Sequence, residues 1–180
     1  MNVNTPHYKN HGLSYEIRLA NEQDAIELSH VRWQIDGETD YLDREQGEDY
    51  LDEVGFKELI RHDKVTINHL FLVAEVDGQI VGFSRCEGSH LKRLSHRVTF
   101  GVCVLKSYWG YEIGKNLLGE SIRWAKRQQL KKMTLQVLEK NEKALKLYEN
   151  KGFVVEGVLK DDKLLPDGHY YNTILMSKFL

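Results

Sequence analysis

The sequence predicts a single-domain α/β protein with a mixed, mostly antiparallel central sheet and flanking helices. Two apolar runs are joined through Val76-Asp77-Gly78, and Asp-Gly between such runs is typical of a β-hairpin. Further runs rich in β-branched residues alternate with amphipathic helical segments, and the last pair flanks Pro166-Asp167-Gly168. The 180 residues contain no repeats or linkers and suffice for one core.

Composition argues against several classes of protein. The formal net charge of −2 gives no general attraction to nucleic acid, so no nucleic-acid partner is expected. No apolar run reaches the roughly 20 residues that span a bilayer, and residues 1–12 lack the apolar core of a secretory signal. We therefore expect a cytoplasmic protein without membrane contact. The two cysteines are expected to be reduced, and the eight histidines show no metal-binding spacing, so no metal is expected.

The elements follow in order from local patterns. Residues 1–14 are expected to form a flexible tail before a single domain of residues 15–180. The predicted strands cover residues 15–19, 70–74, 79–85, 97–105, 132–138, 153–160 and 170–179. Helices are predicted from residue 22, with Glu22 and Asp24 in an acidic first turn, and over residues 44–62, 113–129 and 141–150.

The most informative segment joins the strand that ends near Val104 to the helix that begins near Ile113. The loop between them contains Gly110, and Gly114 follows at the start of the helix. Unpaired N–H groups of such a loop and of the helix N-terminus favour an anion, with phosphate or pyrophosphate as the natural ligand. The loop is neither a Walker loop nor a G-x-G-x-x-G fingerprint. Its glycines could also serve only to relieve crowding in a β–α turn.

A second segment changes the interpretation of the first. It contains the pattern Asn141, Ala144, Leu147, Tyr148, Gly152 and Phe153. Asn141 is a suitable helix N-cap, and Tyr148 shares a helix face with Ala144. Taken alone, Tyr148 is more typical of a core aromatic residue than of a functional one.

Together the two segments resemble the GCN5-related N-acetyltransferase (GNAT) superfamily, in particular its bacterial-like members that act on small amines or peptide amines. In that family a strand–loop–helix binds the pyrophosphate of acetyl-CoA, and an Asn-x-x-Ala-x-x-Leu-Tyr-x-x-x-Gly-Phe element completes the cofactor site. The resemblance covers about residues 15–180. It implies a GNAT-like sheet splayed at the cofactor site. It also implies an acyltransferase that passes an acetyl group from acetyl-CoA directly to a primary amine in a ternary complex.

The resemblance also implies roles for individual residues. Cofactor binding would involve Val102, Cys103, Val104, Gly110, Tyr111, Glu112, Ile113, Gly114, Lys115, Asn141 and Tyr148. Tyr148 would act as the general acid at the CoA sulfur, and backbone N–H groups near Val102 to Val104 would polarise the acetyl carbonyl. No acid lies in residues 97–104, where the family often places one. Glu87 is therefore the candidate catalytic base, with an ordered water as the alternative.

The chain departs from the family pattern at two positions. Where the family usually has Arg/Gln-Gly-x-Gly-x-Gly/Ala, residues 109–114 read Trp-Gly-Tyr-Glu-Ile-Gly. Trp109 should matter little because the loop works through backbone amides. The Glu112 carboxylate would repel pyrophosphate, and a positive φ there costs about 1–2 kcal/mol. Either the side chain points outward and the site is intact, or CoA affinity is weakened.

An acidic segment gives a hint about the acceptor. Nine acids lie between Asp36 and Glu53 against one base, Arg44. In the family this region borders the acceptor pocket, so Glu38 and Asp40 are candidate substrate-binding residues. A solvated helical face is the alternative interpretation. The functional interpretation is a positively charged acceptor, such as a polyamine, an aminoglycoside-like amine, or a peptide N-terminus or lysine.

Two other functions stay open at this point. Glu112 and the missing strand carboxylate are also compatible with a non-catalytic acyl-CoA-binding or regulatory domain on the same fold. A protein-interaction domain without a nucleotide site is the third interpretation. The sequence does not identify the acceptor, and the aromatic residues Tyr170 and Tyr171 leave a homodimer open.

Overall fold

The computed structural model of the chain describes residues 5–180, and these residues form one eight-stranded sheet with flanking helices. The strands are β1 (His7–Asn10), β2 (Leu13–Leu19), β3 (Leu70–Val76), β4 (Gln79–Gly88), β5 (Arg97–Val104), β6 (Lys132–Leu138), β7 (Val154–Leu164) and β8 (Tyr170–Phe179). Their order in the sheet is β1-β2-β3-β4-β5-β6-β8-β7. Only the β5–β6 pair is parallel within this sheet, which confirms the mixed, mostly antiparallel architecture.

The helices cover both faces of the sheet. They are α1 (Ala25–Glu38), α2 (Glu53–Val65), α3 (Ile113–Arg127) and α4 (Glu142–Asn150), with short 3₁₀ turns at Glu22–Asp24 and Lys106–Tyr108. On β4 the Phe83 ring meets Phe56 of α2, whereas the next side chain, Ser84, faces Ser121 of α3. Because neighbouring strand residues point to opposite faces, α2 and α3 lie on opposite sides of the sheet. Most of the buried apolar side chains lie between these layers.

The N-terminal boundary differs from the expected tail of residues 1–14. The strand β1 pairs with β2, with Tyr8 opposite Tyr15, so regular structure begins before residue 15. His11 and Gly12 both have positive φ (47° and 84°), and they form the two-residue turn that joins the two strands as a hairpin. The first four residues of the expected tail lie outside the described residues. That residues 15–180 suffice as one folding domain stays a prediction.

The second helix is shorter than predicted. A helix was expected over residues 44–62, but α2 begins at Glu53, and its N-cap Asp52 accepts a hydrogen bond from Gly55 N at 2.9 Å. Gly47 (φ 94°) and Asp49 (φ 45°) adopt left-handed conformations that a right-handed helix cannot include. The segment between α1 and α2 is therefore an irregular loop.

The sheet opens between β5 and β6. Their parallel pairing is confined to Arg97–Thr99 opposite Lys132–Thr134, although β5 runs on to Val104 and β6 to Leu138. Beyond this point β6 stays paired with β8, and β5 stays paired with β4. The splay expected at the cofactor site is thus present. Among the described helices none is both long and apolar enough to cross a membrane.

Candidate active site

The open half of β5 presents backbone polar groups to the gap in the sheet. Leu105 N donates a hydrogen bond to Val81 O at 2.9 Å, on the β4 side. Because backbone groups alternate along a strand, Cys103 also directs its N–H and C=O towards β4, whereas Val102 and Val104 direct theirs into the gap. Of the three residues predicted here, Val102 therefore offers its N–H and C=O to a ligand, whereas Val104 offers its N–H because its C=O accepts from Trp109 Nε1.

A cavity of about 470 Å³ occupies this gap and its surroundings. It brings together the end of β5, the loop before α3, the inner face of α4, and the residues just after α1. Its lining includes every residue predicted to bind the cofactor except Tyr111. These residues are Val102, Cys103, Val104, Gly110, Glu112, Ile113, Gly114, Lys115, Asn141 and Tyr148. The structure thus joins two segments that are far apart in the sequence.

The loop before α3 carries a run of unpaired amides. Within residues 5–180, the backbone N–H groups from Gly110 to Lys115 have no hydrogen-bond partner. The first helical bond of α3 runs from Asn116 N to Glu112 O, at 2.9 Å, and no side chain caps this helix end. The dipole of a 15-residue helix adds positive potential at the same place. An anion in the cavity would meet several free donors.

Glu112 adopts the left-handed conformation considered from the sequence, with φ 62°. Its carboxylate accepts a hydrogen bond from Lys115 Nζ at 2.7 Å. This bond lowers the pKa of Glu112 below its usual range, so the group is ionised and its charge is offset by Lys115. The loop therefore does not present an uncompensated negative charge.

Trp109 forms an aromatic wall of the cavity. Its indole Nε1 donates to Val104 O at 2.8 Å, and its ring stacks on Tyr41 with centroids 6.2 Å apart and planes 14° apart. Sequence reasoning missed Tyr41, which lies within the acidic segment after α1. The sequence shows Tyr41 only as an aromatic residue among acidic ones, and that pattern does not indicate that its ring stacks on Trp109.

Tyr148 reaches the cavity from α4. The helix starts at its N-cap Asn141, whose Oδ1 accepts from Ala144 N at 3.2 Å. The Tyr148 side chain is buried against Phe153, with ring centroids 5.9 Å apart, and burial raises the pKa of its phenol to about 12. No described residue hydrogen-bonds its hydroxyl group. The phenol is therefore protonated at neutral pH and free to donate.

The structure does not bring two other predicted residues into the cavity. Glu87 is exposed at the end of β4, and its carboxylate accepts from Arg85 Nη2 at 3.1 Å. Glu38 accepts from Lys106 N at 2.7 Å and from Gln34 Nε2 at 2.8 Å, so it fastens the end of α1 to the segment after β5. A carboxylate committed in this way has less capacity left for a substrate.

A second cavity, also about 470 Å³, adjoins the first and contains the predicted residue Asp40. Thr39 and Leu42 line both cavities. Carboxylates outnumber cations in its lining, with Asp36, Asp40, Asp43, Glu45 and Asp162 against Arg44 and Lys163. Asp36 is paired with Arg44 and Asp43 with Lys163, whereas neither Asp40 nor Glu45 has an ion-pair partner among the described residues.

Comparison with known proteins decides the family. The family model described as Acetyltransferase (GNAT) family matches residues 38–153, which is more than half of the chain. The chain belongs to the GNAT family. It is therefore an acyltransferase, an N-acetyltransferase that acts with acetyl-CoA, and the non-catalytic interpretations lose their support.

Two N-acetyltransferases of named activity are similar to this GNAT protein. L-amino acid N-acetyltransferase AaaT of Escherichia coli is 30% identical over 108 residues, which cover 59% of this chain and 66% of that protein. The ribosomal protein bS18-alanine N-acetyltransferase of Haemophilus influenzae is 32% identical over 104 residues, covering 58% and 68%. The matches thus span about two thirds of these relatives.

Solved structures agree on the fold. A GNAT-family acetyltransferase from Streptococcus pneumoniae superposes with a TM-score of 0.89 at 27% identity, covering 92% of this chain and 99% of that one. A putative acetyltransferase from Salmonella typhimurium, whose structure holds acetyl-CoA, gives a TM-score of 0.81 at 18% identity, with 92% and 94% covered. At that lower identity the likeness supports the GNAT fold alone.

One histidine-containing cluster lies outside the cavities. Ligand atoms of His62, Asp63 and His69 lie within 4.8 Å of one another. The Asp63 carboxylate, however, accepts two hydrogen bonds from Arg85, at 2.8 and 3.0 Å, and one from His69 Nδ1 at 2.8 Å. A guanidinium already neutralises this carboxylate, so we interpret the cluster as a structural link between α2 and the sheet.

Proposed function

We propose that this GNAT protein transfers the acetyl group of acetyl-CoA directly to a primary amine within a ternary complex. One observation carries the proposal: a loop of free amides and a buried, protonated tyrosine line the same cavity at the open edge of β5. The free amides can donate hydrogen bonds to a diphosphate, and the phenol can donate a proton to a leaving thiolate. The remaining steps follow from the chemistry of a thioester.

In this proposal the cofactor lies across the gap in the sheet. Its diphosphate binds the amides from Gly110 to Lys115, and its pantetheine arm pairs with the main chain of Val102 and Val104 as an added strand would. The thioester then comes to lie near Tyr148. Asn141 acts indirectly, because its side chain caps α4 and so fixes the direction in which this helix presents Tyr148.

The reaction needs a neutral amine, a polarised carbonyl and a protonated leaving group. A lysine-like amine has a pKa of about 10.4, so only about one in 10³ is neutral at pH 7. Attack of its nitrogen on the acetyl carbon forms the C–N bond and an oxyanion, which strand N–H donors stabilise, each by about 3–4 kcal/mol. The C–S bond then breaks, the sulfur takes the proton from the Tyr148 hydroxyl, and the resulting phenolate regains a proton from water.

We assign removal of the amine proton to water rather than to Glu87. Among the described residues, the only carboxylate in the cofactor cavity is Glu112, which is bonded to Lys115. Glu87 lies outside the lining and is bonded to Arg85. A chain of water molecules could carry the proton out through the adjoining polar cavity.

The acceptor would enter through the second cavity. Asp40 lies in its wall without an ion-pair partner among the described residues, whereas Glu38 is held by Lys106 N. A cationic amine would therefore be favoured, such as a polyamine, an aminoglycoside-like amine, or a peptide or protein amine. The E. coli and H. influenzae relatives are named for amino-acid and ribosomal-protein-alanine acetylation, which supports an amine acceptor without identifying this one.

A panel of amines tests the proposal directly. We expect release of free CoA thiol from acetyl-CoA with at least one cationic amine, and a KM for spermidine that rises severalfold as salt increases, because screening weakens attraction to the carboxylates. The control is Asp40→Asn, which should flatten that salt dependence. Absence of thiol release with every amine would contradict the function, and a KM insensitive to salt would contradict the acceptor class.

Replacement of Glu112 tests the phosphate loop. Glu112→Gly should tighten CoA binding by a few-fold, because glycine adopts positive φ without strain and the variant frees Lys115 for the phosphates. Isothermal titration calorimetry measures the change. The matched control is Lys115→Met, which should weaken binding. Unchanged affinity in Glu112→Gly would mean that this side chain has no influence on the phosphates.

A further inference from the structure

We propose that Tyr15, on β2, is a positioning residue for the phosphate loop. Its hydroxyl holds the Tyr111–Glu112 peptide in the orientation that turns Glu112 N–H towards the cofactor. This inference rests on the proposed function of the loop. It assigns a role to a residue that lies outside both motifs and outside the cavity lining.

The hydroxyl of Tyr15 joins β2 to a distant part of the chain, the loop before α3 and the first turn of that helix. The side chain is buried, with 3% of its surface exposed. Its hydroxyl donates to Tyr111 O at 3.1 Å and accepts from Asn116 Nδ2 at 2.6 Å. One oxygen atom thus fastens both the loop and the first turn of α3 to the central sheet.

Peptide geometry converts this contact into a direction for Glu112 N–H. In a trans peptide the C=O and the following N–H point in opposite directions, and the described residues contain no cis peptide. Since Tyr111 O points to the buried Tyr15, Glu112 N–H points away from it. That N–H has no partner among the described residues, and Glu112 lines the cofactor cavity. In this proposal the amide is therefore directed into the cavity, where the diphosphate would bind.

The backbone conformation explains why such a hold is needed. Glu112 has φ 62°, a left-handed conformation that is unfavourable for a residue with a side chain. Without a restraint, rotation of this peptide would relieve the strain and withdraw the N–H from the cavity. The bond from Tyr15 opposes that rotation, so the loop is organised before the ligand arrives.

The neighbouring Tyr8 supplies a matched control. Its ring stacks on Tyr15, with centroids 5.4 Å apart and planes 21° apart. Its hydroxyl bonds instead to Glu120 and to Arg123 Nη2, further along α3. Tyr8→Phe therefore removes a hydroxyl from the same stack without touching the loop.

The experiment compares Tyr15→Phe and Tyr8→Phe by calorimetric titration with CoA and by steady-state kinetics. Tyr15→Phe should weaken CoA binding at least fivefold and raise KM for acetyl-CoA accordingly, with kcat within twofold of wild type. Tyr8→Phe should change affinity less than twofold. In a Glu112→Gly background the effect of Tyr15→Phe should fall below twofold, because glycine does not need the restraint.

Each outcome separates this inference from the proposed function. A wild-type protein that does not bind CoA would refute the proposed function itself. Normal binding by Tyr15→Phe, equal weakening by the two phenylalanine variants, or an undiminished effect in the glycine background would overturn the role of Tyr15. If Tyr15→Phe does not fold, hydrogen exchange of the Glu112 amide in the wild-type protein tests the inference instead. Glu112 N–H should exchange fast and slow down with CoA, and protection without CoA would overturn the inference.

Discussion

Tyr148→Phe is expected to lower kcat tenfold or more while the affinity for CoA barely changes. The variant keeps the ring packed on Phe153 and removes only the hydroxyl, which has no bond to the described part of the chain. Loss of a general acid typically costs 10²–10⁴-fold, and the departing thiolate can take a proton from water instead. Single-turnover kinetics with acetyl-CoA, together with a calorimetric CoA affinity, measure both quantities.

The pH dependence gives this prediction a second test. Burial raises the pKa of Tyr148 to about 12, so its phenol keeps its proton up to that pH and loses it only above. The wild-type kcat should therefore show no loss of acid function between pH 7 and 10, where an ordinary phenol begins to ionise. Tyr170→Phe, at an exposed position on β8, serves as the control. Equal kcat for wild type and Tyr148→Phe would exclude the acid role.

Asp63→Ala is expected to lower the free energy of unfolding by about 3–5 kcal/mol, the largest stability effect that we predict. The side chain is 2% exposed and bonds to both Arg85 and His69. Its removal leaves the largely buried guanidinium of Arg85 with only the exposed Glu87 as a charged partner, at the junction of α2 with β3 and β4. Urea unfolding monitored by circular dichroism gives the change directly.

A surface ion pair provides the contrast. Glu53 and Lys57 lie on the same helix and are bonded at 2.5 Å, but their side chains are 44% and 39% exposed. Glu53→Ala should cost less than about 1 kcal/mol, because water replaces the lost partner. If Asp63→Ala cost no more than this surface variant, the cluster would not link the helix to the sheet as described.

The parts of the fold that depend on local sequence could be predicted. The Asp77-Gly78 turn and the strands β6 and β8 follow from patterns within a few residues, and so does the cap Asn141. The start of α2 could not be placed from the sequence. Gly47 and Asp49 adopt left-handed conformations that exclude a helix there, but nothing in the residues around them shows this in advance. The strand β1 depends on pairing with β2, which no local pattern reports.

The candidate site divides in the same way. The loop before α3 and the segment from Asn141 to Phe153 could be recognised because each is a continuous stretch of sequence. Glycines that free backbone amides and a capping asparagine are visible in such a stretch. The contacts that shape the site join distant residues. Glu38 bonds to Lys106 N across 68 positions, and Tyr15 bonds to Tyr111 O across 96. Whether an acid faces a substrate or a neighbouring amide depends on tertiary structure, so Glu38 and Glu87 could not be assigned from spacing alone.

The most direct test follows the backbone amides during titration with CoA by ¹H–¹⁵N NMR. We predict the largest shifts at the amides from Gly110 to Lys115, and no comparable shifts with pantetheine, which lacks the diphosphate. Saturable CoA binding that leaves these six amides unmoved would contradict their role as the diphosphate site.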